Sequence, residues 1–135
     1  MKQDNLIDGQ EAIAIVGVGA KVPGALSASQ FWLNIQNAVS SIGLVPQDRW
    51  DWRLYFDEDR RAPDKTYSNI GGWVEGFEFD RKAFRLPPTV VRQMDPAQRL
   101  CLAAVREALE DSSYLDRDFD RDRCAVILGL SLIHI

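Results

Sequence analysis

Cysteine, histidine, basic excess and long apolar runs are all scarce in this chain. Its 135 residues hold two cysteines, Cys101 and Cys124, and one histidine, His134. No C-x-x-C pair exists, and one histidine cannot complete a zinc set, so no metal-ligand spacing is present. Two cysteines in a chain of this length fit a reducing, cytoplasmic compartment better than a disulfide scaffold. No apolar stretch reaches about 18 residues, and no basic-plus-apolar leader opens the chain, so neither a membrane span nor a secretory signal is expected. Sixteen basic residues against twenty acidic ones give a net charge of −4. That balance leaves no broad basic footprint for nucleic acid or an anionic membrane. No internal repeat is visible.

What remains is an ordinary globular composition, 46% hydrophobic and 27% charged, long enough in principle to bury one core. Arg and Asp interleave at 57–61 and 116–123, the pattern of solvated loops. Residues 1–10 are polar and unpatterned, a disordered or linker-like start. Residues 12–17 form a short β-branched apolar run ending in glycine, a buried strand entering a tight turn, and Pro23-Gly24 punctuates the loop that follows. Ser27 and Gln30 read as an S-x-x-Q capping box, with Leu26 and Phe31 as its hydrophobic staple. Phe31, Trp32, Ile35, Ala38 and Val39 then recur at helical spacing. The stretch 42–88 is long and aperiodic, with a short helix expected only at 80–84. Asp95 as N-cap, Pro96 at N1 and Gln98 at N3 open a second helix, whose apolar stripe is Leu100, Cys101, Ala104, Val105, Ala108 and Leu109. Arg106 and Glu110 stand one turn apart on its outer side, and Ser112-Ser113 ends it. Residues 124–128 read as a second short strand, neighbouring the first in one sheet.

Several residues invite a chemical reading, and each meets a simpler one. Gly17-Val-Gly19 after a strand suggests a dinucleotide turn, but the third glycine of G-x-G-x-x-G would fall at Val22 and Pro23 interrupts the helix. Lys21 lacks the glycine spacing and the following Ser or Thr of a phosphate loop. Cys101 lies mid-helix on the apolar stripe, where a small inert thiol is expected, and Cys124 begins a strand. Trp50, Trp52, Tyr55 and Phe56 lack the interleaved basic excess of a nucleic-acid platform, so packing of the long loop onto the domain or a partner subunit is the reading. Capping accounts for Asp95, and structural pairing for Arg49 and Arg99, since arginine does not donate protons at ordinary pH.

Five strings, in order, carry a resemblance across residues 11–129. They are Ile13-Ala-Ile-Val-Gly-Val-Gly19, Val45-Pro-Gln-Asp-Arg-Trp50, Lys65-Thr-Tyr-Ser-Asn-Ile-Gly-Gly72, Met94-Asp-Pro-Ala-Gln-Arg-Leu100 and Ala108-Leu-Glu-Asp111, with the aromatic pair Phe31-Trp32 between the first two. Together they resemble the N-terminal portion of a β-ketoacyl synthase (ketosynthase) domain of a type I polyketide or fatty-acid synthase. The resemblance implies an α/β fold, the N-terminal part of a thiolase-like layered α/β/α/β/α architecture, here incomplete. It implies a parent that condenses acyl and malonyl units into β-ketoacyl thioesters, usually as a homodimer. The acyl groups are carried on the phosphopantetheine of an acyl carrier protein, and the chain itself needs no cofactor. The family's cysteine nucleophile and two histidines match no position here, so no catalytic, cofactor-binding or metal-ligating residue is carried over. Phe84-Arg-Leu-Pro-Pro88 and Ala62-Pro-Asp-Lys-Thr-Tyr67 lean toward the polyunsaturated fatty-acid or iterative polyketide type.

The expectation is therefore a fragment of a condensing enzyme, inactive alone. The alternative is a non-catalytic interaction or scaffold module derived from the same fold. An oxidoreductase reading stops at Val22. Leu130-Ser-Leu-Ile-His-Ile135 is what a transposon end used in sequencing libraries encodes, and these six residues are expected to be a translated adapter.

Overall fold

The computed structural model describes residues 12–129. The readings of residues 1–10 as a linker, of 130–135 as an adapter, and of His134 lie outside the described residues. Helix α1 (Ala28–Gln36) is followed by strand β1 (Ile42–Leu44), strand β2 (Ile70–Gly72), a short helix α2 (Pro88–Gln93) and a long helix α3 (Pro96–Asp111). Single 3-10 turns lie at Trp52–Leu54 and Arg121–Arg123. No helix among the described residues is long and apolar enough to cross a membrane.

Both expected helices form where their caps place them. Asp95 accepts from the Ala97 amide at 2.7 Å while Gln98 accepts from the Asp95 amide at 3.1 Å, so α3 carries a complete capping box. On α1 only half the box forms. Ser27 accepts from the Gln30 amide at 3.1 Å, but the Gln30 side chain runs forward to Asn34. Arg106 and Glu110 pair at 2.8 Å on partly exposed ground, worth a few tenths of a kcal/mol. Ser112 is the C-cap of α3, and Ser113 follows in the left-handed region at φ 60°.

The expected strands at 12–17 and 124–128 do not form. A strand is defined by its ladder, and no ladder among the described residues reaches either segment. Their side chains stand in solvent, with Ile13 95% and Ile127 91% exposed. The sheet that does form is a two-stranded antiparallel ribbon, Ile42 opposite Gly72, Gly43 opposite Gly71 and Leu44 opposite Ile70. At 80–84 the chain makes turns, not a helix. Asp80 accepts from the Lys82 and Ala83 amides, and Arg85 at φ 53° then leaves the helical region. Helix α2, unexpected from the sequence, starts with Pro88 at its first position, where the missing N–H costs nothing.

The loop between the ribbon strands folds on itself. Thr66 bonds both neighbours across it, its amide donating to Tyr55 at 2.7 Å and its carbonyl accepting from Asp57 at 2.9 Å. Trp50 packs edge-on to Tyr55 and Trp52 to Phe56, with Arg53 over Trp52 and Arg60 over Tyr67. The aromatics thus pack within their own loop, not onto the rest of the domain as expected.

Gly17 and Gly19 mark a close approach. A Cβ at Gly17 would collide with the Ala108 carbonyl oxygen of α3, and one at Gly19 with that of Ala104. The glycines let backbone lie on helix backbone. Beyond this seam the core is thin. Only Ala25, 3% exposed, and Val45, 5% exposed, are fully buried apolar residues among those described.

Gly19→Ala is expected to destabilise the chain by about 1–3 kcal/mol through overpacking against Ala104. Gly43→Ala, whose methyl would meet nothing within 4 Å, should leave stability unchanged or slightly raised. Urea midpoints of the two variants provide the comparison.

Candidate functional site

Two places gather polar side chains from distant parts of the sequence. The first is a node on α3. The Glu107 carboxylate accepts from the Ala28 amide at 2.6 Å through Oε1, and from the Ala20 amide at 3.2 Å through Oε2. It also accepts from the Lys21 ammonium, which donates a further bond to the Leu26 carbonyl at 2.7 Å. Ala28 opens α1, so its amide is one of the orphan donors of a helix start. Helix α1 thus receives a second cap from another helix, at the Ala28 amide and not at the Ser27 amide that a complete capping box would satisfy. The Lys21 and Glu107 side chains are only 13% and 20% exposed. Burial pushes the Glu107 carboxyl up, but the hydrogen bonds from Lys21, Ala28 and Ala20 and the Lys21 charge outweigh it. The group is held below its ordinary value of 4.5.

The second place is an open cleft of about 630 Å³, lined among others by Asp48, Arg49, Trp73, Glu75, Pro96 and Arg99. Three stretches far apart in sequence meet there: 48–49, 72–77 and 96–100. The expected pairing of Arg49 and Arg99 is not observed. No ion pair among the described residues uses either guanidinium. The Asp95 carboxylate, one turn before Arg99, is committed to the helix cap. The Trp73 indole N–H is buried and has no partner among the described residues. The cleft therefore offers two cations beside two carboxylates, a surface that orients polar groups of both signs.

The remaining sequence candidates are dispersed. Gly17 and Gly19 serve the seam with α3 and form no phosphate cradle. Pro23-Gly24 makes a tight turn, closed by paired Val22 and Ala25 backbone bonds, with Gly24 at φ 74°. Lys21 reaches Glu107 and not a ligand loop. Cys101 is half-buried on the α3 stripe, and Cys124 is exposed at the end of a 3-10 turn; both are free thiols. Among the described residues no cluster of three metal-ligating side chains occurs. The Glu107 node was not foreseen. Its only sequence signal was the i, i+4 pair of carboxylates, Glu107 and Asp111, near the C-terminal end of α3.

The family profile described as "Beta-ketoacyl synthase, N-terminal domain" matches residues 10–133. Polyketide synthase PksL of Bacillus subtilis is 38% identical over 120 residues, 88% of this chain and 3% of PksL. Polyketide synthase ThaG of Burkholderia thailandensis is 35% identical over 89% of this chain and 2% of its own length. Among solved structures, the oxazolomycin ketosynthase domain OzmH KS7 of Streptomyces albus JA3453 superposes with a TM-score of 0.64 at 38% identity. That match covers 72% of this chain and 17% of the other. The chain thus spans only a small part of the proteins it matches.

Replacing Glu107 by Gln should cost about 1–3 kcal/mol, the worth of charged hydrogen bonds exchanged for neutral ones. The pH dependence carries a definite sign. A carboxyl lowered on folding stabilises the fold above its unfolded value, and that contribution is lost as pH falls through the folded value. Unfolding midpoints measured from pH 8 to pH 3 should fall from about pH 5 downward. In Glu107→Gln the decline should be shallower.

Proposed function

Because the chain belongs to the β-ketoacyl synthase family, within its N-terminal domain, we propose that it serves a longer polypeptide that carries out decarboxylative Claisen condensation. That polypeptide joins acyl and malonyl units held on acyl carrier protein, releasing carbon dioxide and leaving a β-ketoacyl thioester. The observation that carries this reading is the family match over residues 10–133, joined to a ketosynthase neighbour at 38% identity with a thiolase-like fold. The pathway class is polyketide biosynthesis, since the relatives named above are polyketide synthases. The lean toward polyunsaturated fatty-acid synthases rests only on the local strings at 62–67 and 84–88. The substrates are thioesters on phosphopantetheine arms of a carrier protein, the working form is a homodimer, and the compartment is the cytoplasm.

The role of these residues in that reaction is architectural. Neither polar cluster holds a cysteine or serine nucleophile placed beside a base. Covalent acyl transfer needs both, together with donors for the developing oxyanion. The catalytic cysteine and histidines therefore belong to other residues of the polypeptide.

Two incubations test the proposal, each followed by mass spectrometry of the carrier proteins. The polypeptide encoded by the uninterrupted reading frame, given an acylated and a malonyl-loaded carrier, is expected to yield the β-ketoacyl product. The 135-residue chain alone is expected to yield none. A full-frame polypeptide that binds the carriers without condensing them would favour the scaffold reading. An acyl adduct on Cys101, abolished by Cys101→Ala, would relocate the chemistry to α3.

A further inference from the structure

We propose that α3 is a register template for the backbone segment 16–20, seating it before any sheet partner pairs with it. Four contacts define the template, and they alternate. Gly17 lies against the Ala108 carbonyl and Gly19 against the Ala104 carbonyl. The Val18 amide donates to Asp111 Oδ2 at 2.9 Å, and the Ala20 amide donates to Glu107 Oε2 at 3.2 Å. Both sets step by two along the segment and by four, backwards, along the helix. A period of two is that of an extended chain running antiparallel to α3.

The two repeats match in length. Two extended residues advance about 6.6–6.8 Å, and four helical residues advance about 6.0 Å. The difference is within the reach of carboxylate side chains. A chain and a helix can therefore share a short ladder in which side-chain carboxylates replace the carbonyls of a neighbouring strand.

The template accepts one register. A slip of one residue puts Val18, with Val16 or Ala20, where a Cβ collides with helix carbonyls. A slip of two puts Ile15 or Lys21 there. Only the present register places glycine at both contacts. The steric selection by Gly17 and Gly19 and the polar selection by Glu107 and Asp111 agree, and the Lys21 bond to Glu107 closes the end of the ladder. On the opposite edge no hydrogen bond among the described residues uses the Gly17 or Gly19 amide. The segment is held by one face and one edge, and its other edge is unpaired among the described residues. This inference rests on the seam geometry and is independent of the reaction assigned above.

Amide hydrogen exchange of the 135-residue chain, read residue by residue by NMR, tests the template. In the wild type the Val18 and Ala20 amides should exchange about tenfold or more slowly than those of Gly17 and Gly19, as charged acceptors require. Asp111→Ala should erase the Val18 protection and leave Ala20 within about twofold. Glu107→Ala should erase protection at Ala20 and Ala28 together. In both variants the helix amides of 104–109 should lose no more protection than the fall in global stability read from urea midpoints, because the carboxylates lie outside the helix's own ladder. Equal rates at all four segment amides in the wild type would overturn the proposal. So would an Asp111→Ala effect shared equally by Val18 and Ala20, or loss of helix protection in either variant beyond the fall in global stability.

Discussion

The Glu107 carboxylate is the constraint on which the arrangement of the described residues depends. It is one side chain on α3, yet it satisfies the first amide of α1, an amide of the segment before it, and the Lys21 ammonium. A half-buried charge is tolerated only when paired and hydrogen-bonded, and here the pairing spans 79 to 87 residues of sequence. With only two fully buried apolar residues among those described, hydrophobic burial contributes little directional information. The polar node and the glycine seam supply it. They fix where the first segment lies on α3 and where α1 begins, and the Val22–Ala25 turn joins the two.

The elements legible in the sequence are those whose determinants are local. Asp95, Pro96 and Gln98 announce α3, Ser27 announces α1, and Pro23-Gly24 announces the turn, because caps and turns are decided within a few residues. The apolar runs at 12–17 and 124–128 carried an equally clear strand signal and formed no strand. A strand's hydrogen bonds come from a partner, and local pattern cannot supply one. The reverse holds for the ribbon. Ile42–Leu44 and Ile70–Gly72 are three residues each and half glycine, too short and too plain to show periodicity. Helix α2 was hidden by Pro87-Pro88, which reads as a break until the second proline is seen to occupy a helix's first position.

The functional surroundings divide in the same way. The ordered strings that carry the family resemblance were readable one by one. That three distant stretches would line one cleft was not, because the convergence is a property of the fold. Arg49 and Arg99 were expected to be paired, and no ion pair among the described residues uses either. Glu107 left almost no trace in the sequence. A carboxylate near the end of a helix most often faces solvent, and nothing local distinguishes one that reaches back to two other segments.

The large hydrated surface has a thermodynamic consequence. Unfolding heat capacity arises from apolar area newly exposed to water, about 1.6–2.0 kcal/mol/K for a normally buried domain of 135 residues. Here Ile13, Ile15, Val126 and Ile127 are already hydrated in the folded chain, so that increment shrinks, and the denaturant slope shrinks with it. The stability curve becomes broad and flat, nearly indifferent to moderate warming or cooling. A midpoint shift equals the change in free energy divided by that slope, so each substitution moves the midpoint further than it would in a well-buried domain. A thin core thus makes this chain an amplifier of small energetic changes at its polar node.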